Sequence, residues 1–174
     1  MICACQLQNS QLVQKLLKHC ESANGGLFLT AGLPIAAELG HLDIVQCLLK
    51  SASMSEHPSL SVVARNEALI FAIGKGHIGI VQYLLDHGAD INAPRVIRDR
   101  QSGFNPLELA AYFGRLDIVA LLLDRHVRTT GRGRVQYMRS ILLATEEGHT
   151  ATERLLRLRK ARQWHSKDDK LWQE

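Results

Sequence analysis

Apolar residues recur at helical spacing within a short phrase that the chain carries three times. The copies read GHLDIVQCLLK, GHIGIVQYLLD and GRLDIVALLLD, and they begin at Gly40, Gly76 and Gly114. From Leu42 to Leu49, apolar residues fall at i, i+2, i+3, i+6 and i+7. This spacing places them on one wide side of a helix. Each phrase therefore predicts an amphipathic helix that begins just after a glycine.

The glycines anchor an internal repeat, which is the first feature to seek in a sequence. The first three anchors and Gly148 are separated by 36, 38 and 34 residues, and an Ile-Val pair and a leucine pair follow the first three at fixed offsets. An alanine precedes each anchor by four residues: Ala36, Ala72, Ala110 and Ala144. The template also fits the N-terminal residues if Gln8 replaces the glycine. Five units then cover nearly the whole chain.

The segment before each anchor predicts a second, shorter helix. In NPLELAAYF, Asn105 suits the N-cap and Pro106 suits the first helical turn. Gly114 then ends that helix, because glycine adopts the left-handed conformation at little cost. The pair Ala110-Ala111 allows a neighbouring helix to approach closely. Neither helix of a unit can bury its apolar face alone, so the units are predicted to stack.

These residues resemble the ankyrin repeat, whose pattern is roughly T-P-L-H-x-A-A, then G-H-x-x-I-V, L-L and G-A-D-x-N. The segments NPLELAAYFGRLDIVALLL and GHIGIVQYLLDHGADIN carry the resemblance, which covers about residues 2–158. It implies an all-α solenoid of about five stacked helix-turn-helix units with extended inter-repeat loops. The loops at 51–66 and 94–104 are expected to be longer than usual. We place the units at about 1–24, 25–58, 59–93, 94–130 and 131–163.

Departures from the pattern fall at the two ends. In the last unit, GHTATERLLRLRK, the leucine pair comes one residue early and polar residues replace Ile-Val. Terminal repeats are expected to have a polar outer face that caps the stack. The first unit begins inside its first helix, so a piece of a longer array is an alternative. The tail 164–174 matches no repeat, and we expect a short capping helix that carries Trp164 and Trp172. A frayed end is the alternative.

Charge is distributed unevenly along the 174 residues. Residues 1–90 carry a net charge of −2 and residues 91–174 carry +6. Arginines cluster in 125–139 and again in 154–162. Such an excess suits an acidic protein surface, an anionic membrane or nucleic acid. The plainer interpretation is a solvated basic loop and a capping helix with one cationic face.

The chain offers little sign of catalysis, metal binding or a cofactor. No nucleophile and base occur at a credible spacing, so we expect no enzyme activity, no cofactor and no metal site. The recurring histidines His41, His77 and His149 follow three of the anchors, where the resemblance implies turn residues. Asn92 resembles the asparagine-hydroxylation site of some ankyrin proteins, but a role in supporting the turn is the simpler interpretation.

Compartment is inferred from what the sequence lacks. The N-terminal residues have no basic start and apolar stretch of a signal peptide, and no apolar run reaches the ~18 residues of a membrane span. We therefore expect a cytoplasmic protein with reduced thiols at Cys3, Cys5, Cys20 and Cys47. Family analogy adds the alternative of export by an intracellular bacterium into a host cell.

We expect a monomer that binds a protein partner on the concave face of the stack. In the ankyrin family, this face comprises the inter-repeat fingers and the two residues before each anchor. The candidate partner-binding residues are Leu39, Lys75, Phe104, Tyr112, Phe113, Arg132 and Arg134. Arg132 and Arg134 are expected on a finger. Alternatively, Tyr112 and Phe113 fold against the neighbouring repeat. The alternative function is an adaptor that binds nucleic acid or acidic lipid through the arginine-rich C-terminal half.

Overall fold

The computed structural model describes residues 25–52, 58–93, 103–129 and 133–163, together with Gln11 and Lys15. Within these ranges, all regular structure is α-helical, as predicted. The eight helices there are α1 Gly25–Leu39, α2 Leu42–Ala52, α3 Pro58–Lys75, α4 Ile78–Asp86, α5 Pro106–Tyr112, α6 Leu116–Asp124, α7 Gly133–Glu146 and α8 Thr150–Gln163. A two-residue or three-residue turn joins each odd-numbered helix to the next even-numbered one. The predicted helix-turn-helix unit is therefore confirmed.

The turn has the same geometry in all four of these pairs. The anchors have left-handed φ values from +63° at Gly114 to +84° at Gly76. The residue after each anchor donates its backbone N–H to the alanine that precedes the anchor by four residues, at 2.9 Å from His77 N to Ala72 O and 2.8 Å from His149 N to Ala144 O. This is the Schellman ending of a helix. His77 itself has φ −82° and ψ 72°, an inverse γ-turn, from which the second helix starts.

The chain divides into two compact units, Met1–Pro106 and Leu107–Glu174. In the first unit, α1 packs against α2 and α3, α3 packs against α4, and α2 touches α4. First helices thus neighbour first helices, and second helices neighbour second helices. In the second unit, α8 packs against both α7 and α6.

The predicted repeat positions form the core. Among described residues, Ile-Val pairs and most of the leucine pairs are buried. The alanines four residues before the anchors are fully buried: Ala36, Ala72, Ala110 and Ala144. Since a larger side chain would have to displace a neighbouring helix at these positions, the alanines set how closely the helices pack.

The predicted long loop at 51–66 is wrong, because α3 begins at Pro58 and continues for 18 residues. Proline suits the first turn of a helix, and no further glycine or proline interrupts the chain before Gly74. The expectation that Arg134 lies on the finger before the last unit is also wrong. Helix α7 begins at Gly133, so Arg134 lies in its first turn and not on a loop.

The last repeat keeps the register of the others and is not one residue short. Thr152 and Leu156 are buried, and they follow Gly148 at the same offsets at which Ile118 and Leu122 follow their anchor. The early leucine, Leu155, is only half-buried. The tail 164–174, with Trp164 and Trp172, lies outside the described residues. Of the helices described, none has the length and apolar character required to cross a membrane.

Candidate functional site

In each unit, we call the two residues before each anchor glycine the glycine-edge surface: Glu38-Leu39, Gly74-Lys75, Tyr112-Phe113 and Glu146-Glu147. The second residue of every pair is exposed: Leu39, Lys75, Phe113 and Glu147. They lie at the last position of the first helix or one residue beyond it, where the Schellman turn reverses the chain. Leu39 and Lys75 belong to the first unit, whereas Phe113 and Glu147 belong to the second.

In the first unit, two bonds tie the glycine-edge surface together across neighbouring repeats. Lys75 Nζ lies 3.3 Å from Glu38 Oε1, and both side chains are partly exposed. An ion pair in solvent contributes only ~0–1 kcal/mol to stability, so its effect here is to orient the two side chains. His77 Nε2 lies 3.1 Å from the Glu38 carbonyl oxygen. Leu39 therefore follows Glu38, a charged residue whose side chain is paired with Lys75 and whose backbone carbonyl is bonded to His77.

In the second unit, the glycine-edge surface presents two aromatic rings. The rings of Tyr112 and Phe113 meet edge to face, with centroids 5.1 Å apart and planes at 80°. Phe113 is 44% exposed, so it does not belong to the core, whereas Tyr112 is half-buried. The core positions beneath are filled by Ala110 and Ala111. His149 Nε2 lies 3.0 Å from the Tyr112 carbonyl oxygen.

Two of the recurring histidines, His77 and His149, make a contact between repeats that their spacing did not indicate. His77 and His149 each bond to a backbone carbonyl of the preceding repeat, which requires the proton to be on Nε2. Their rings also cover the preceding anchor glycine: a Cβ on Gly40 would lie 2.8 Å from His77 Cε1, and one on Gly114 would lie 2.5 Å from His149 Nδ1. Glycine is therefore needed there for space as well as for φ. No group of three potential metal-ligating side chains occurs in the part of the chain that the structure describes.

The other predicted partner-binding residues are distributed over both units. Phe104 precedes α5 in the first unit and is half-buried. Arg134 is half-buried in the second unit. Arg132 lies outside the described residues. The structure thus brings together the Glu38–Leu39 edge with Lys75, and Tyr112 with Phe113.

Several arginines of the basic C-terminal half are paired within the second unit. Arg157 Nε lies 2.7 Å from Glu153 Oε1, and Arg159 donates to Asp124 Oδ1 at 2.6 Å. Arg139 Nε lies 4.0 Å from Oε1 of Glu108, whose side chain is fully buried. These pairs reduce the charge that remains for an external phosphate.

The turn after α4 is stabilised by Asp90. The backbone N–H of Asn92 donates to Asp90 Oδ1 at 2.8 Å, forming an Asx-turn. Asp90 N in turn donates to Oδ1 of Asn66, also at 2.8 Å. The sequence indicated the turn but gave no sign of Asn66, which reaches it from α3, 24 residues away.

Known proteins share this repeat. A family model described as ankyrin repeats (3 copies) matches residues 1–95 and 33–132. One relative is the 2-5A-dependent ribonuclease of Mus musculus, with 44% identity over 64 residues. The matched stretch is 37% of this chain and 8% of that relative, so the chain spans far less than the length of the ribonuclease.

Proposed function

Because the chain belongs to the ankyrin-repeat family, whose repeats are generally protein–protein interaction modules and generally non-catalytic, we propose that it binds a protein partner through the glycine-edge surface. Phe113 and Tyr112 are the centre of the proposed site. Binding is non-covalent, and it buries apolar surface without turnover of a substrate.

The observation that supports this proposal is the exposure of Phe113. A phenylalanine gains ~1.5–3 kcal/mol when its side chain is fully buried, and Phe113 leaves nearly half of its surface in water. Aromatic residues are enriched in binding hot spots. Its backbone neighbourhood is ordered by the bond between His149 and the Tyr112 carbonyl. A backbone that is already held in place reduces the conformational entropy lost when a partner covers the ring.

The charges on the same surface restrict the partner. Glu146 and Glu147 are exposed, and they occupy in the last repeat the positions that Tyr112 and Phe113 occupy in the one before. A partner that places an apolar side chain on Phe113 and a basic group near the two glutamates would match the second unit. Within the first unit, the proposed contact residues are Leu39, Lys75 and Phe104. Arg132 and Arg134 are proposed as further contact residues of the C-terminal half.

The test compares variants in affinity capture from a cell lysate at physiological salt, followed by affinity measurement with the captured partner. Changing Tyr112 and Phe113 together to alanine is expected to cost at least ~2 kcal/mol of binding free energy, or about 30-fold in Kd. Leu116→Ala is the matched control, because Leu116 is 41% exposed but lies beyond the turn, at the start of α6. Equal binding by both variants would refute the site, as would a double variant that is destabilised yet still binds when folded.

Salt dependence separates this proposal from phosphate binding. Affinity that depends on phosphate contacts falls steeply between ~50 and ~200 mM salt, whereas an apolar protein interface responds weakly. The internal pairing of Arg139, Arg157 and Arg159 favours the protein partner. Retention of nucleic acid or acidic lipid vesicles that is lost across this salt range would instead support the anion-binding adaptor.

A further inference from the structure

The last helix pair of the second unit leaves an apolar face of α7 in water. Val135 is 73% exposed and Leu142 is 54% exposed, with Met138 between them. Their spacing of i, i+3 and i+7 places them on one side of the helix, and we call them the α7 stripe. In the preceding repeat, the position equivalent to Leu142 is Glu108, which is fully buried next to Arg139. The α7 stripe is thus the side on which a following helix would pack.

The neighbouring side of α8 differs, because it is polar. Glu153 and Arg157 occupy the offsets at which Val119 and Leu123 are buried in the preceding repeat. Their side chains form an i,i+4 ion pair of 2.7 Å in contact with solvent. A complete further helix pair would bury this ion pair, and removing paired charges from water is costly. The geometry therefore favours a single segment that covers α7 alone.

The end of α8 lies close to the α7 stripe. Helices α7 and α8 run antiparallel from the turn at Gly148, and the Tyr137 hydroxyl donates to the Leu156 carbonyl oxygen at 2.6 Å. Gln163, the last residue of α8, is therefore at the same end of the pair as Val135. Residues 164–174 follow it. If helical, these eleven residues would extend about 16 Å, and the α7 stripe is about 10 Å long.

The sequence of this segment, WHSKDDKLWQE, has the apolar pattern that the α7 stripe requires. Trp164, Leu171 and Trp172 fall at i, i+7 and i+8, which is one helical face, and the residues between them are mostly charged. These residues lie outside the described part of the chain, so the inference rests on their sequence, their number and the position of Gln163. We propose that residues 164–174 pack as a single capping segment on the α7 stripe, with the two tryptophans and Leu171 facing it.

Tryptophan fluorescence tests the proposal directly, because the chain has two tryptophans and both are in this segment. In the folded full chain, we expect the tryptophan emission maximum to lie at a shorter wavelength than in urea. We also expect the tryptophans to be protected from quenching by acrylamide. Leu142→Glu should shift emission to the red and raise the acrylamide quenching constant to its value in urea. Because Leu142 is exposed, the far-ultraviolet dichroism should keep its helical form.

Leu158→Glu is the matched control, since Leu158 is also 54% exposed. Leu158 lies on α8 and lines a groove with Leu116 and Ala120 of α6. The tryptophan emission of the Leu158→Glu variant should stay the same as that of the parent. Three outcomes would overturn the proposal. In the first, acrylamide quenches the tryptophans as strongly in the parent as in urea. In the second, Leu158→Glu exposes the tryptophans but Leu142→Glu does not. In the third, the tryptophans are protected only when sedimentation shows a dimer. The second would place the segment in the groove, and the third would assign the α7 stripe to a second copy of the chain.

Discussion

Replacing Gly114 by alanine perturbs the fold in two separable ways. The residue has φ +63°, where a side chain costs ~1–2 kcal/mol. The new Cβ would also lie 2.5 Å from Nδ1 and 2.6 Å from Cγ of His149. Since these are atoms of a ring and not the end of a flexible chain, the imidazole must move. Its bond to the Tyr112 carbonyl oxygen, now 3.0 Å, would then be lost.

The magnitude follows from adding the two effects. Displacing a packed ring costs ~1–3 kcal/mol, a range that includes the ~0.5–1.5 kcal/mol of a lost hydrogen bond. Gly114→Ala should therefore lower the free energy of unfolding by ~2–5 kcal/mol. Gly148 has a similar φ of +75°, but a Cβ added there would meet no atom within 4 Å. Gly148→Ala should thus show the backbone cost alone, ~1–2 kcal/mol.

Equilibrium urea unfolding, followed by far-ultraviolet dichroism, measures the free energy of unfolding of both variants. The m-value should stay unchanged, so that a shift in midpoint reports a change in stability. The double variant with His149→Ala completes a thermodynamic cycle. Once the ring is absent, Gly114→Ala should cost no more than Gly148→Ala, which gives a coupling of ~1–3 kcal/mol. Equal destabilisation by the two single glycine variants, or a coupling near zero, would refute the argument that the histidine ring requires glycine beneath it.

Two further predictions concern the core. Ala110→Leu should lower the free energy of unfolding by ~1–3 kcal/mol through overpacking, because Ala110 is fully buried; the same change at the exposed Ala151 should have little effect in the same urea titration. Tyr137→Phe should cost ~1 kcal/mol through loss of the hydroxyl's bond to Leu156. Burial raises the pKa of Tyr137 from 10.0 to about 12, so its contribution to stability is complete below pH ~10 and is lost as the pH rises from ~10 to ~12. A phenolate absorbance titration in which every tyrosine ionises near pH ~10 would contradict this shift.

The core was predictable because the buried positions recur at the same offset in every repeat, where the sequence keeps the same residue type. Ala36, Ala72, Ala110 and Ala144 share one offset, since every repeat must admit a neighbouring helix at that place. The start of α3 at Pro58 was not predictable in this way, because a helix that grows at its N-terminus by two turns leaves the anchor pattern unchanged. In the last repeat, identity alone misled: Leu155 resembled a core leucine, but the offset from Gly148 decides which side chain points inward.

The surface was less predictable, because exposure depends on contacts between repeats. The offset before the anchor indicated Phe113 and Lys75, and both are exposed. It did not indicate that Lys75 pairs with Glu38, or that His149 fixes the carbonyl of Tyr112. The bond between His149 and Tyr112 joins residues 37 positions apart. Both residue types would also suit a turn that contacts no other repeat, so their identity does not indicate the bond. The glycine-edge surface as the partner site stays a proposal.

The identical anchor turns have a consequence for how this chain tolerates insertion and deletion. Anchor separations of 36, 38 and 34 residues coexist with one turn geometry, so the variation in length falls away from the turn, where the first helices range from 7 residues in α5 to 18 in α3. Residues gained or lost there would leave every Schellman ending and its alanine partner unchanged. One edge of each repeat is thus held constant while the other is free to diversify, and new loop lengths are open to the protein without a new core.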